Sequence, residues 1–192
     1  MSDGLLLSFA TSAHWSNDSV AGQRQYLQEI AGGQIQIQIE DVDVRHASTE
    51  SHLETHLDWM TQAGIEQFMS GADLLADCEE MFTQIKLLDR ARGQLRKLDA
   101  KWVTPVAREL ALMNRALLEW RPDVSFPAWY TKVSPESQSR IDKGLVDFVD
   151  LDGVVRSFST HARLTPGEGR IHFRAVGTSR SATVAHIGAK IL

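Results

Sequence analysis

Strict alternation of polar and apolar side chains is the clearest pattern in the chain. It runs from Gln34 to Glu40, so Ile35, Ile37 and Ile39 share one face of a half-buried strand. Upstream, the apolar run within residues 4–10 (Leu5-Leu6-Leu7) predicts a buried strand. Between the two, Ser16-Asn17-Asp18-Ser19 offers several N-caps. Val20, Leu27 and Ile30 then follow at amphipathic-helix spacing, up to Gly32-Gly33. Residues 1–45 therefore read as strand, helix, strand, either a βαβ unit or a hairpin bridged by a helix.

Residues 46–121 read as helical. Leu74, Cys78, Met81, Phe82, Ile85, Leu88 and Leu95 form a near-heptad stripe that Arg92 interrupts. Acids (Asp73, Asp77, Glu79, Glu80) crowd its start and bases (Arg90, Arg92, Arg96, Lys97, Lys101) its end, the order a helix dipole favours. Thr104-Pro105 reads as a cap followed by proline at the first helical position. A second stripe follows through Val106, Leu110, Met113, Leu117 and Trp120. Two stripes with a short break predict an antiparallel helical hairpin. Phe126-Pro127-Ala128-Trp129-Tyr130 is an aromatic connector, and Ser134-Pro135-Glu136 opens a short helix toward Gly144.

Residues 145–192 are a β module, with strands expected at 154–164, 169–176 and 183–192. Turns at Pro166-Gly167-Glu168-Gly169 and Gly177-Thr178-Ser179 join them. Alternation assigns faces to these strands. Ile171 and Phe173 point one way, and Arg170, His172 and Arg174 the other. Phe158 and Leu164 point inward, with His161 and Arg163 outward. Ala185, Ile187 and Ile191 form a face opposite His186 and Lys190. If the outward faces share one sheet surface, seven cationic or imidazole groups converge on it, a surface suited to phosphate binding or acid–base chemistry.

Composition sharpens the contrast between the two halves. The net charge is −5, yet from residue 152 onward six Arg or Lys face two acids, a local +4 that leaves −9 for the rest. A polyanion would therefore meet the C-terminal part. No run approaches a membrane-spanning length, and Met1-Ser2-Asp3 carries an acid where a signal peptide is positive. Cys78 is the sole cysteine, so neither an internal disulfide nor a four-cysteine zinc site can form. A cytoplasmic protein with no cofactor and no metal is expected.

Several segments carry a resemblance: Phe148-Val149-Asp150-Leu151-Asp152-Gly153, His161-Ala162-Arg163-Leu164, Gly169-Arg170-Ile171-His172-Phe173, and the terminal Val184-Ala185-His186-Ile187-Gly188-Ala189-Lys190-Ile191-Leu192. Residues 148–192 resemble a module of uncharacterised bacterial proteins that has an H-x-(K/R)-L strand, an R-(I/L)-Y-F strand and an I-G-H-(I/V)-G-x-H-L terminus. More loosely, the last two strands are similar to the end of RelE-type ribonuclease toxins. That resemblance implies that Arg170, His186 and Lys190 bind phosphate and move protons. Phe173 departs from the tyrosine such toxins often carry, and Lys190 from the histidine usual in the uncharacterised family. The long acidic helical insert is also foreign to a RelE toxin.

Two other constellations bear on chemistry. His52 and His56 lie one helical turn apart, a metal-ligand spacing without the HExxH order. Arg45-His46 followed by His52 resembles the Arg-polar-x-His motif of HEPN ribonucleases, although here it follows a strand.

The expected fold is α+β: one domain over 1–192 with a central antiparallel helical hairpin and an antiparallel sheet formed mainly by the C-terminal third. The strands at 4–10 and 34–40 are candidates to join that sheet. Candidate catalytic residues are His186, Lys190 and His161; candidate nucleic-acid-binding residues are Arg163, Arg170, His172 and Arg174. Three readings follow. The first is a nucleic-acid-directed protein with RNA or DNA as partner, of the ribonuclease-effector kind found in bacterial defence or mobile-element systems. The second is a non-enzymatic adaptor that binds a protein partner along residues 73–120. The third is a metal-dependent enzyme built on His52 and His56.

Overall fold

The computed structural model describes residues 4–9, 11–165 and 167–191. Residues 1–3, Ala10, Pro166 and Leu192, which the sequence reading assigned to a non-signal start, two strands and a turn, lie outside the described residues. The architecture is mixed α+β with mostly antiparallel sheets, and the chain divides into two compact units, residues 1–61 and 62–192. No described helix is long and apolar enough to cross a membrane.

In the first unit, β1 (Leu5–Leu7) is followed by a 3-10 turn at Ala13–Ser16. Two long strands come next, β2 (Ser19–Ile30) and β3 (Gln34–Ala47), and then the helix α1 (Glu50–Thr55). β2 and β3 form one continuous antiparallel ladder from Ser19↔Arg45 to Ile30↔Gln34. Gly32 and Gly33, at φ +94° and +76°, close its turn in a backbone region that side chains disfavour. β1 pairs with β3 in parallel, Leu5↔Arg45 to Leu7↔Ala47, so the sheet order is β1-β3-β2.

The expected helix over 20–30 is therefore a strand. Val20, Leu27 and Ile30 fit a helical period, but pairing with the alternating Gln34–Ala47 segment overrides that local pattern. The strand at β1 is present but is an edge strand, with Leu6 and Leu7 exposed rather than buried. These strands form a sheet of their own and do not extend the C-terminal one. Leu27, Ile35, Ile37 and Ile39 share one face of the ribbon and are all more than half exposed. Ile37→Ser is accordingly expected to change thermal stability by no more than about 0.5 kcal/mol, read by the unfolding midpoint.

α2 (Leu57–Glu66) leads the chain into the second unit. There follow α3 (Gly71–Met81), β4 (Ile85–Leu87), α4 (Asp89–Arg96), α5 (Ala100–Leu118), β5 (Val133–Pro135) and α6 (Gln138–Asp142). The remainder is β6 (Asp147–Val149), β7 (Val155–Ser157), β8 (Thr160–Leu164), β9 (Gly169–Val176) and β10 (Ser181–Ala189). Five strands make a sheet of order β4-β10-β9-β8-β5, antiparallel except where β4 lies parallel to β10; β6 and β7 form a separate two-stranded ribbon.

One sheet face carries Ala162, Leu164, Ile171, Phe173, Ala182, Val184 and Ile187 into a single core. Leu74 and Cys78 of α3, Leu95 of α4, and Val106, Leu110, Met113 and Leu117 of α5 meet them there. Each fully buried large apolar side chain contributes about 1.5–3 kcal/mol of transfer free energy. The expected long helix through residues 74–95 is instead α3, β4 and α4. The apolar positions of that stripe do face one core, but Ile85 and Leu87 reach it from a strand paired with β10. Asn114, buried on α5, holds the break: its Oδ1 accepts the Gln84 N–H at 2.9 Å. α5 also starts earlier than Thr104-Pro105 implied. Asp99 caps it, accepting the Lys101 N–H at 3.1 Å, and Pro105 lies inside the helix between buried Val103 and Val106.

Candidate functional site

The expected C-terminal strands are present, and their register sets three histidines in a row. His161 of β8 lies opposite His172 of β9, which lies opposite His186 of β10. Adjacent ring centroids are 5.3 and 5.8 Å apart. A bulge between Val184 and His186 shifts the alternation of β10. As a result Ala185 does not share a face with Ile187, as alternation had suggested. It packs with Phe158 and Leu88 in a second, smaller apolar cluster, with Phe148 against it. Phe158 likewise leaves the core face expected for it, because the chain breaks between β7 and β8.

The histidine face was expected to meet solvent, yet it is covered. His172 is fully buried, and His161 and His186 are each only 5% exposed. Burial pushes the His172 imidazole down to about 4 against the pull of the Phe158 carbonyl. Burial lowers His161 as well, with Glu136 opposing and Arg170, Arg163 and Arg140 reinforcing the shift. It lowers His186 too, where the Ala189 carbonyl opposes and Arg90 adds. Burial thus biases all three rings toward the neutral form.

Their hydrogen bonding divides them. The His186 Nε2–H donates to the Ala189 carbonyl at 2.7 Å, which leaves Nδ1 to accept from the Gln94 Nε2 amide at 2.9 Å. Gln94 Oε1 in turn accepts the Ile187 N–H at 3.0 Å. Both nitrogens of His186 are thus occupied, and no lone pair remains for proton transfer. His172 donates its Nδ1–H to the Phe158 carbonyl at 3.2 Å, leaving its buried Nε2 without a partner among the described residues. Both nitrogens of His161 are buried and unpartnered in the same sense. Glu136, just after β5, stands before these two rings: its Oε2 lies 4.0 Å from His161 Nδ1 and 4.0 Å from His172 Nε2.

The arginines flank the row on either side. Arg163 and Arg170 lie directly opposite one another on β8 and β9, with Arg163 exposed and Arg170 half-buried. Arg170 donates only to the Gly169 carbonyl at 2.8 Å, and neither pairs with a carboxylate among the described residues. Arg174 is placed differently: it pairs with the buried Asp150, which also meets Arg156 at 3.1 Å. Arg156 in turn grips Asp152 through two bonds of 2.5 and 2.8 Å, and holds that carboxyl down at about 2. Lys190 is exposed beyond the end of β10. Gly188, the register partner of Arg170, lines a depression of about 430 Å³ together with Arg90, Lys97 and Trp102.

The other constellations dissolve in the folded chain. His56 Nε2 is bound to the Asp18 carbonyl at 2.7 Å and His52 Nδ1 receives the Ser48 N–H at 3.3 Å, so one nitrogen of each ring is engaged, and neither ring joins a cluster of three candidate ligands among the described residues. His46 is a buried strand residue held by the Asn17 carbonyl at 2.6 Å and Ser8 Oγ at 2.7 Å, outside any helical bundle. The apolar stripe of residues 73–120 is spent on the core of its own unit. Comparison with protein-family models, with curated proteins and with solved structures finds no match in any of the three.

Sequence reasoning missed Glu136, Gln94 and Asp150. Glu136 had been read only as the opening of a helix, and its partners lie 25 and 36 positions away, beyond the reach of any local spacing. Asp150 did carry a signal, since Asp150-Leu151-Asp152-Gly153 is a turn sequence and Gly153 adopts φ +82°.

Proposed function

We propose that this protein binds nucleic acid through the basic rim of the C-terminal sheet. The observation that carries the reading is the Arg163–Arg170 pair. Like charges directly opposite on neighbouring strands repel, and here no carboxylate among the described residues compensates them. Two guanidinium groups on facing positions offer the charge and planar donor forks that phosphate oxygens accept. Arg90 and Lys97 add cations at the neighbouring depression, which Asp99 and the half-buried Trp102 also line. The reading is one of binding. The ribonuclease form of the idea asks His186 to move a proton, and the hydrogen bonds to Ala189 and Gln94 argue against that.

Fluorescence anisotropy with a single-stranded RNA and a duplex DNA, over a salt series, tests this. The wild-type protein should bind with affinity that falls steeply as salt rises. Arg163→Ala/Arg170→Ala should flatten the log–log slope by roughly 1.4–1.8, or 0.7–0.9 per lost phosphate contact, without changing the circular dichroism spectrum. Wild-type protein that binds neither probe at low salt ends the reading.

A further inference from the structure

We propose that Glu136, His161 and His172 form a binding site for a divalent transition-metal ion of the zinc class, which clamps β5 to β8 and β9. The three side chains come from separate elements, and one ligand atom from each lies within 4.8 Å of the other two. Two imidazoles and a carboxylate are a donor set that zinc accepts, with a fourth position open to water. Nitrogen donors favour such an ion over magnesium or calcium, which prefer oxygen cages.

Three observations argue for a ligand rather than for packed side chains. First, the nitrogens concerned are buried and unpartnered, although a buried polar group without a partner costs about 1–3 kcal/mol. Second, the 4.0 Å gaps from Glu136 Oε2 to both rings are too long for direct hydrogen bonds. Zinc–ligand bonds of 2.0–2.2 Å place tetrahedral donors roughly 3.4 Å apart, so shifts of less than about 1 Å would close the site.

Third, the supporting contacts already orient the donors. The Phe158 carbonyl takes the Nδ1–H of His172, which presents the Nε2 lone pair to the site. Glu136 Oε1 accepts the Ser137 N–H at 3.0 Å and faces Arg140 Nε at 3.2 Å, which turns Oε2 toward the rings. Arg140 is itself anchored to the Ile191 carbonyl. Burial alone would push the Glu136 carboxyl up, but the Ser137 N–H, Arg140 and His161 together bring it below its ordinary value. A carboxylate oxygen and imidazole nitrogens that have no other partners among the described residues are the donors such an ion requires. The arrangement does not depend on the nucleic-acid reading.

The test is stoichiometry on the full chain. Protein stripped with EDTA and titrated with Co²⁺ and Zn²⁺ should bind one equivalent of each, with visible Co²⁺ bands of a low-coordinate nitrogen–oxygen site and a rise in melting temperature. Glu136→Gln and His161→Gln should each weaken binding at least tenfold, whereas His52→Ala/His56→Ala should leave it unchanged. In parallel, ¹⁵N shifts of the wild-type imidazoles on adding Zn²⁺ identify the ligands without any substitution, so a variant that fails to fold does not obscure the result. Binding below a tenth of an equivalent overturns the proposal. So does binding that shifts histidine rings other than 161 and 172, or that persists unchanged in both ligand variants.

Discussion

Phe173→Ala should destabilise the unit formed by residues 62–192 by about 3–5 kcal/mol, the cost of removing a fully buried aromatic ring and leaving a cavity. The ring sits on the core face of β9, opposite Thr160 on one side and Val184 on the other. It also meets Trp129 edge-on, with centroids 5.0 Å apart. Those neighbours belong to strands pinned on both sides and to a core shared with α5, so they have little freedom to collapse into the space. Domains are stable by about 5–15 kcal/mol in total, so the variant should show a large drop in urea midpoint with an unchanged m-value. A loss below about 1 kcal/mol would mean that β9 is not held against the helices as described. Position 173 also bears on the toxin resemblance. A tyrosine here would carry its hydroxyl into an apolar core, so Phe173→Tyr should destabilise rather than supply a surface group.

The C-terminal strands were legible because their alternation is long and their turns are marked. Ile171 and Phe173 on one face, with Arg170, His172 and Arg174 on the other, follow from a period of two, and the structure keeps that division. Whether the second face would be wet or covered was not legible. The groups that meet its histidines, Glu136, the Phe158 carbonyl and Gln94, come from distant segments that local pattern cannot place against β8–β10. The bulge at Ala185 escaped for a related reason, since nothing in Val184-Ala185-His186 distinguishes a regular strand from one carrying an extra residue. The strand at 19–30 was misread because a sparse apolar pattern fits two periods, and only its distant partner, Gln34–Ala47, decides between them. The same limit hid Glu136: a site assembled by pairing β5 beside β8 has no signature within either segment.

Asp150→Asn should act in opposite directions on stability and on binding. Its side chain is 3% exposed and holds two guanidinium groups, while Oδ1 also accepts the Leu151 N–H at 2.8 Å. Asparagine keeps an acceptor for that N–H but removes the charge. Arg156 retains its two bonds to Asp152, so the loss falls on Arg174, whose Nε is already buried without a partner. Breaking a buried pair costs about 3–5 kcal/mol. The Arg174 side chain is 31% exposed, so solvent recovers part of this and a loss of about 1–3 kcal/mol is expected. The freed guanidinium faces a depression of about 390 Å³ that Lys86 also lines. A nucleic-acid ligand reaching that side of β9 would gain a cation, so binding should tighten and its salt slope should steepen by roughly 0.7–0.9. Chemical denaturation and the anisotropy series, run on the same preparation, separate the two effects. Weaker binding alongside lower stability would show that Arg174 serves the fold alone, and would confine the proposed interface to Arg163, Arg170 and the α4 cations.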